Sequence, residues 1–149
     1  MFYFAYGSNM LSSRLGRRVP SAKIIGRASL YNWIVNFSKK SIDGSGKANL
    51  IEKDGFVTWG CLYEIDDNEI EILDKIEIGY TRKTVNVRKI DGESVIAEIY
   101  ISDDLIDIPV AFDSYKNKLI QGALEHDLPQ DYVQFLKQLP SKPNKGYYT

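Results

Sequence analysis

Runs of apolar residues with turn residues between them predict a chain built mainly of β-strands. The aromatic run Phe2–Tyr6 stops at Gly7 and is typical of a buried first strand. Further runs of strand length follow at residues 22–37, 48–52, 57–65, 83–90 and 94–101. Turn residues at Asp43–Gly46 separate the runs 22–37 and 48–52. Hairpin signals occur at Lys53–Gly55 and Asp91–Gly92. We therefore expect about six strands, joined mostly by hairpins.

Helical periodicity and capping residues predict helices in several other segments. They run from Ser8 or Asn9 to about Gly16, and over Asp66–Ile76, Phe112–His126 and Pro129–Leu139. Asp66 and Glu69 have the spacing of a helix start, and Pro129 suits a first helical turn. Because strands come mostly first and helices gather late, the predicted class is α+β. The expected sheet is mixed, largely antiparallel, and curled or closed into a small barrel.

Composition narrows the class of protein. With 149 residues, of which 44% are apolar, the chain is interpreted as one domain over residues 1–149, with a loosely ordered polar tail from about Ser141. The net charge is −1 and only Arg14, Arg17 and Arg18 cluster, which disfavours a nucleic-acid partner. No apolar run reaches membrane-spanning length, so we expect no membrane association and a cytoplasmic location.

Cysteine and histidine each occur once, which restricts the chemistry further. The single Cys61 excludes an intramolecular disulfide and a cysteine-based metal cage. The single His126 excludes multi-histidine metal sites and leaves little room for a Ser-His-Asp or Cys-His mechanism. We predict that Cys61 is a small core residue, and that His126 is a solvated residue at a helix end.

Glu77 is the candidate acid/base group. Ile70, Leu73 and Glu77 follow i, i+3, i+7 spacing, so a helix that reaches its last turn aims Glu77 along the apolar face. Partial burial there would raise the pKa of the carboxyl and make it a better base near neutral pH. Alternatively, the helix ends at Asp74 or Lys75 and Glu77 lies on the surface.

The turn after the first strand is a candidate binding element. Several backbone N–H groups of Tyr6–Asn9 can point outward together and bind an anion, and Gly7 permits close approach of a ligand. The alternative is an ordinary strand-to-helix connection with Asn9 as its cap. The segment Asp43–Lys47 does not match a phosphate-binding loop and is interpreted as a flexible loop or a lid.

Several segments resemble one enzyme family. Phe4–Met10 resembles the N-terminal YGSN signature of γ-glutamylcyclotransferases, and Leu73–Glu77 resembles their LDxxE motif. Ala48–Ile51 and Trp59–Tyr63 look like the paired strands ahead of the active-site helix, and 109–132 looks like the closing helices. The resemblance to this family, including its γ-glutamylamine cyclotransferase relatives, covers nearly the whole chain.

The resemblance implies an enzyme that cyclises a γ-glutamyl amino acid or a γ-glutamylamine to 5-oxoproline and releases the amine. It implies no cofactor and no metal, and Glu77 matches the catalytic acid/base of the family. The implied substrate-binding residues are Tyr6, Gly7, Ser8, Asn9, Met10, Tyr100 and Tyr115. The expected partner is a small-molecule γ-glutamyl substrate, and the expected state is a monomer or a weak homodimer.

One segment departs from the family pattern. Many relatives have several more residues between the glutamate and a following Gly-x-Tyr or Tyr-Arg segment, whereas Glu77–Arg82 is compact. This shortens one wall of the pocket and bears on substrate identity more than on chemistry. Two alternatives stay open: a non-catalytic binding protein for a γ-glutamyl ligand, and a binder of a phosphate-bearing ligand that combines the Tyr6–Met10 turn with nearby arginines.

Overall fold

A computed structural model describes residues 1–144 of the chain. Its centre is a closed barrel of β1 (Phe2–Ala5), β2 (Lys23–Lys40), β3 (Gly46–Glu64), β4 (Thr81–Lys89) and β5 (Ser94–Ile101). The order around the barrel is β1, β3, β2, β4, β5, and consecutive neighbours in that order are antiparallel. An odd number of strands cannot close with antiparallel pairs alone, so β1 and β5 pair in parallel. The predicted α+β class with a curled, largely antiparallel sheet is confirmed.

Helices flank the barrel close to where the sequence predicts them. They are α1 (Ser12–Arg18), α2 (Ile70–Ile76), α3 (Asp113–Glu125) and α4 (Gln130–Gln138). A single 3₁₀ turn, Ser8–Met10, leads into α1, and another, Asp67–Glu69, leads into α2. The predicted helix start at Asp66 is confirmed, although among the described residues Asp66 makes no side-chain capping hydrogen bond and Glu69 Oε1 accepts one from the Ser21 N–H.

The two longest strands close the sheet by bending. β2 and β3 have 18 and 19 residues and pair along their whole length, with three shifts of register. Such bulges increase the local twist. One shift lies at Asn32, whose φ of 70° is in the left-handed region and whose Oδ1 accepts a hydrogen bond from the Gly55 N–H at 2.9 Å.

The hairpin predicted at Lys53–Gly55 is therefore wrong. These residues lie inside β3, opposite the irregularity at Asn32, where an Asp-Gly pair bends the ribbon and does not reverse it. The predicted runs 48–52 and 57–65 are accordingly one strand. The predicted turns at Asp43–Gly46 and Asp91–Gly92 are confirmed, the second with a φ of 92° at Gly92.

The first residues of the predicted loose tail, Ser141 and Lys142, have a regular structure. Ser141–Lys142 forms a short strand, β7, which pairs in parallel with β6 (Ala111–Phe112) ahead of α3. Backbone hydrogen bonding to β6 compensates for the polar composition of β7. Residues 145–149, which include both tyrosines of the tail, lie outside the described residues.

The core fills the barrel and the space beneath the helices. Phe4, Phe37, Leu50, Leu62 and Ile99 are each at most 2% exposed and come from four of the five barrel strands. Cys61 belongs to the same core, and burial raises the pKa of its thiol to about 12. The prediction of a core cysteine is confirmed, and this thiol is a poor nucleophile at neutral pH.

Candidate active site

A pocket opens where the end of β1 meets the end of α2 and the start of α3. The first strand and the turn after it contribute Tyr3 and residues 6–9. The opposite walls are formed by Ala48, Glu77, Tyr80, Tyr100 and Tyr115. The space inside, together with its mouth, is about 340 Å³.

Helix α2 brings Glu77 to this pocket. Its apolar residues Ile70 and Leu73 are 3% and 0% exposed and fix the helix against the core. The helix ends at Ile76, and the N–H of Glu77 still donates to the Leu73 carbonyl at 2.8 Å. The Glu77 side chain is only 18% exposed. The alternative in which the helix ends early and Glu77 lies on the surface is wrong.

One oxygen of the Glu77 carboxylate is held by two side chains. The Asn9 amide donates to Oε1 at 2.9 Å, and Arg18 Nη1 lies 3.9 Å from the same oxygen. Burial raises the pKa of Glu77, and Arg18 and the Asn9 hydrogen bond only partly offset this effect. No residue in 1–144 donates a hydrogen bond to Oε2, which leaves that oxygen available for proton transfer.

The turn after β1 presents unpaired donors beside this carboxylate. Its 3₁₀ bonds run from Met10 N–H to Gly7 O and from Leu11 N–H to Ser8 O. The N–H groups of Ser8 and Asn9 have no acceptor among the described residues. A Cβ at Gly7 would lie 3.2 Å from the Ala48 Cβ, so glycine lets the turn pack closely on β3.

Met10 is the one predicted substrate-binding residue that the structure does not bring to the pocket. Its side chain is fully buried in the core, and its N–H is bonded to Gly7. Its carbonyl accepts hydrogen bonds from Tyr63 Oη at 3.0 Å and from His126 Nε2 at 2.6 Å. Met10 therefore anchors the turn and does not line the pocket.

The prediction that His126 is a solvated helix end is wrong. Its side chain is 4% exposed and packs edge-on against Tyr63. Because a carbonyl oxygen only accepts, the bond to Met10 requires a proton on Nε2. This bond links the end of α3 to the end of the turn after β1, between residues that are 116 positions apart.

The tyrosines of the pocket hold its walls together. Tyr6 donates to the Tyr100 carbonyl, and Tyr80 donates to the Ala48 carbonyl at 2.7 Å. Tyr115 accepts a hydrogen bond from the Ala48 N–H at 3.1 Å, and burial raises the pKa of Tyr115 to about 12. Each phenol therefore stays neutral at physiological pH.

Two tyrosines that line the pocket, Tyr3 and Tyr80, and Arg18 beside Glu77 were not predicted as site residues. Tyr3 accepts a hydrogen bond from the Asn9 amide at 3.1 Å, and Tyr80 enters the pocket through a tight turn at Gly79, whose φ is 84°. Arg18 follows Arg14 by four positions on α1, and this i, i+4 spacing was the available signal. The loop at Asp43–Lys47 touches the site through Lys47, whose Nζ lies 4.5 Å from the Tyr115 ring centroid. Its role as a lid stays a prediction.

Comparison with known proteins identifies the family. The profile of the AIG2-like family matches residues 57–136. The chain belongs to the AIG2-like family. The γ-glutamylcyclotransferases of Bos taurus and Homo sapiens are 29% and 28% identical to it, over 97% and 95% of this chain and 81% and 79% of their own. A solved γ-glutamyl cyclotransferase structure has a TM-score of 0.89 at 27% identity, covering 100% of this chain and 93% of its own. The prediction of a γ-glutamylcyclotransferase-like enzyme is confirmed.

Within residues 1–144, no group of three His, Cys, Asp or Glu side chains is arranged to hold a metal ion. In the same part of the chain, no helix combines the length and the hydropathy needed to cross a bilayer.

Proposed function

We propose that this enzyme cyclises a γ-glutamyl amino acid or a γ-glutamylamine to 5-oxoproline, with Glu77 as general acid/base. The observation that carries the proposal is the mostly buried Glu77 carboxylate in a small pocket, with one oxygen held by Asn9 and the other without a hydrogen-bond partner among residues 1–144. Relatives that are γ-glutamylcyclotransferases support the reaction class. The match of Leu73–Glu77 to the LDxxE motif supports the role of Glu77.

The proposed reaction is an intramolecular aminolysis. The α-ammonium group of the substrate gives a proton to Glu77, and the free amine attacks the γ-carbonyl carbon. As the C–N bond to the leaving group breaks, Glu77 returns the proton to the departing nitrogen. In total, two protons pass from the attacking nitrogen to the leaving amine, which departs as an ammonium ion. The raised pKa of Glu77 suits both halves of this exchange.

The turn after β1 would hold the α-carboxylate of the γ-glutamyl group. The unpaired N–H groups of Ser8 and Asn9 are donors for it, and Gly7 keeps the backbone accessible. Tyr6, Tyr100 and Tyr115 would shape the pocket around the glutamyl chain. Holding the chain folded brings amine and carbonyl together, which supplies much of the rate in such cyclisations.

We expect the enzyme to release 5-oxoproline from at least one member of a panel of γ-glutamyl dipeptides and γ-glutamylamines. The measurement is product formation by mass spectrometry, with α-glutamyl dipeptides as matched controls. Those controls carry the same atoms but present no γ-amide, so they should yield no enzyme-dependent product. If no γ-glutamyl substrate yields 5-oxoproline, the proposal is overturned and a binding role is favoured.

Replacing Arg18 with glutamine should move the pH dependence of the reaction. Arg18 lowers the pKa of Glu77 by its charge at 3.9 Å, so its removal lets burial raise that pKa further. Glu77 must be ionised to accept the proton. In the pH profile of kcat/KM, the acidic limb should therefore shift to higher pH by about one unit. An unchanged limb would contradict Glu77 as the titrating base.

A further inference from the structure

Cationic side chains gather beside two of the residues that line the pocket, Glu77 and Tyr115. Arg18 reaches Glu77, and Arg14 lies one turn earlier on the same face of α1. Lys47 stands over the Tyr115 ring, and Lys118 follows Tyr115 by three positions on α3. These four residues, Arg14, Arg18, Lys47 and Lys118, are called the cationic rim below. A chain of net charge −1 therefore concentrates positive charge at its pocket.

Two members of the rim already have a carboxylate partner and two do not. Arg18 shares Glu77, and Lys47 lies 3.5 Å from Asp43. Arg14 and Lys118 form no ion pair or hydrogen bond with any residue in 1–144. The Nε atom of Arg14 is buried and has no hydrogen-bond partner within that part of the chain. A guanidinium that is partly desolvated and unpaired is costly, and such a cost is common at ligand sites.

Electrostatic effects within the site support this arrangement. Burial and the neighbouring Arg18 lower the pKa of Arg14, while Tyr115 and Glu77 oppose the change. Arg14 is thus within electrostatic reach of two pocket-lining residues. Burial also lowers the pKa of Lys118, with Arg14 and Lys47 adding to the effect. An anion at the rim would relieve both groups.

The opposite side of the pocket offers less positive charge, with Lys39 Nζ 5.4 Å from the Tyr80 ring centroid. A groove beyond Tyr80 and Tyr100 contains Asp74, Arg82 and Glu98. Arg82 lies 3.1 Å from Asp74 and 2.9 Å from Glu98, so its charge is already taken by two carboxylates. That groove would repel a further carboxylate.

We propose that Arg14 and Lys118 form a second carboxylate subsite, which binds the carboxylate of the leaving amino acid. This inference rests on the proposed function, in which the α-carboxylate of the γ-glutamyl group is held by the turn at Ser8 and Asn9. The substrate class is accordingly a γ-glutamyl amino acid or peptide, with one carboxylate on each side of the scissile bond. The guanidinium of Arg14 suits bidentate binding of a carboxylate.

The test compares γ-glutamylalanine with γ-glutamylethylamine, which lacks only the carboxylate of the leaving group. In Arg14→Gln, kcat/KM for γ-glutamylalanine should fall about 10- to 100-fold, mainly through KM. For γ-glutamylethylamine it should stay within about twofold of wild type when both are measured above the acidic limb, because the charge of Arg14 also lowers the pKa of Glu77. Inhibition by 5-oxoproline should also be unchanged, because that product carries only the γ-glutamyl α-carboxylate.

Arg17→Gln is the matched control. Arg17 lies on the same helix, is exposed and is not part of the rim, so both substrates should behave as with wild type. Arg14→Lys keeps the charge and should retain part of the preference for γ-glutamylalanine. Thermal unfolding of each variant shows whether it is folded.

Binding to Glu77→Gln, measured by calorimetry, gives a readout that needs no turnover. In the Glu77→Gln protein, Arg14→Gln should weaken the binding of γ-glutamylalanine and leave the affinity for γ-glutamylethylamine unchanged. Equal losses for both compounds would overturn the subsite, because Arg14 would then act on the γ-glutamyl half or on residue 77. No loss for either would overturn it as well. Absence of 5-oxoproline with selective binding intact would instead count against the proposed reaction alone.

Discussion

Glu77→Gln should lower kcat for 5-oxoproline release by about 10³-fold, with a small change in KM. Glutamine has the same shape, and its side-chain oxygen can still accept the Asn9 hydrogen bond that now reaches Oε1 at 2.9 Å. It cannot accept a proton from the α-ammonium group or return one to the leaving nitrogen. The loss should therefore appear in single-turnover chemistry and not in substrate affinity.

The stability of the same variant provides its control. The folded-state pKa of Glu77 is raised above its ordinary value of 4.5, so the protonated form is favoured by folding. This contribution to stability is fully present below pH 4.5 and is lost as pH rises through the folded-state pKa. Glutamine resembles the protonated form at every pH. The variant should thus melt at or above the wild-type temperature at pH 7, and the difference should shrink towards pH 4.

Two outcomes would contradict this account. Activity equal to wild type in Glu77→Gln would exclude Glu77 as the proton carrier. Lower thermal stability of the variant at pH 7 would show that the charged form is favoured by folding, against the direction of the pKa shift. A folded, more stable and inactive variant would support the assignment, since a buried carboxylate then trades stability for catalysis.

Local patterns predict most of the elements but not how the strands connect. Asp54 and Gly55 carry a hairpin signal, yet Gly55 bonds across the ribbon to Asn32 and the strand continues. An Asp-Gly pair permits the backbone to reverse direction, but pairing with the 18 residues of β2 keeps β3 continuous through it. His126 shows the same limit, because its burial follows from the Met10 carbonyl, which is remote in sequence.

The candidate site divides in the same way. Helical spacing permits Glu77 to face the core, and the YGSN-like and LDxxE-like motifs indicate the two segments that contribute the site. The pairing of Asn9 with Glu77 spans 68 positions and depends on how the barrel closes, which no local pattern encodes. Tyr80 and Arg18 were missed because their roles arise only where a turn and a helix meet α2. Arg14 was visible merely as part of a basic cluster.

Asn9→Asp should lower kcat/KM at pH 7 by about 100-fold. Asn9 is 5% exposed and donates to Glu77 and to Tyr3 through the same amide nitrogen. Aspartate has nearly the same shape, but it offers only acceptors to an adjacent carboxylate. Two buried carboxylates this close cannot both ionise, so they share a proton near neutral pH and the base is blocked. The acidic limb of kcat/KM should move to higher pH.

Asn9→Ala separates charge from the loss of a hydrogen bond. Asn9→Ala removes the donor to Glu77 without adding a second carboxylate. The expected loss in kcat/KM is therefore about tenfold, and the acidic limb of its pH profile should move less.

The Oδ1 of Asn9 is buried and has no partner among the described residues, so we expect it to accept a hydrogen bond from the substrate ammonium. Aspartate keeps that acceptor and should bind substrate, whereas alanine should raise KM. Equal pH profiles in wild type and Asn9→Asp would show that Asn9 does not set the protonation of Glu77.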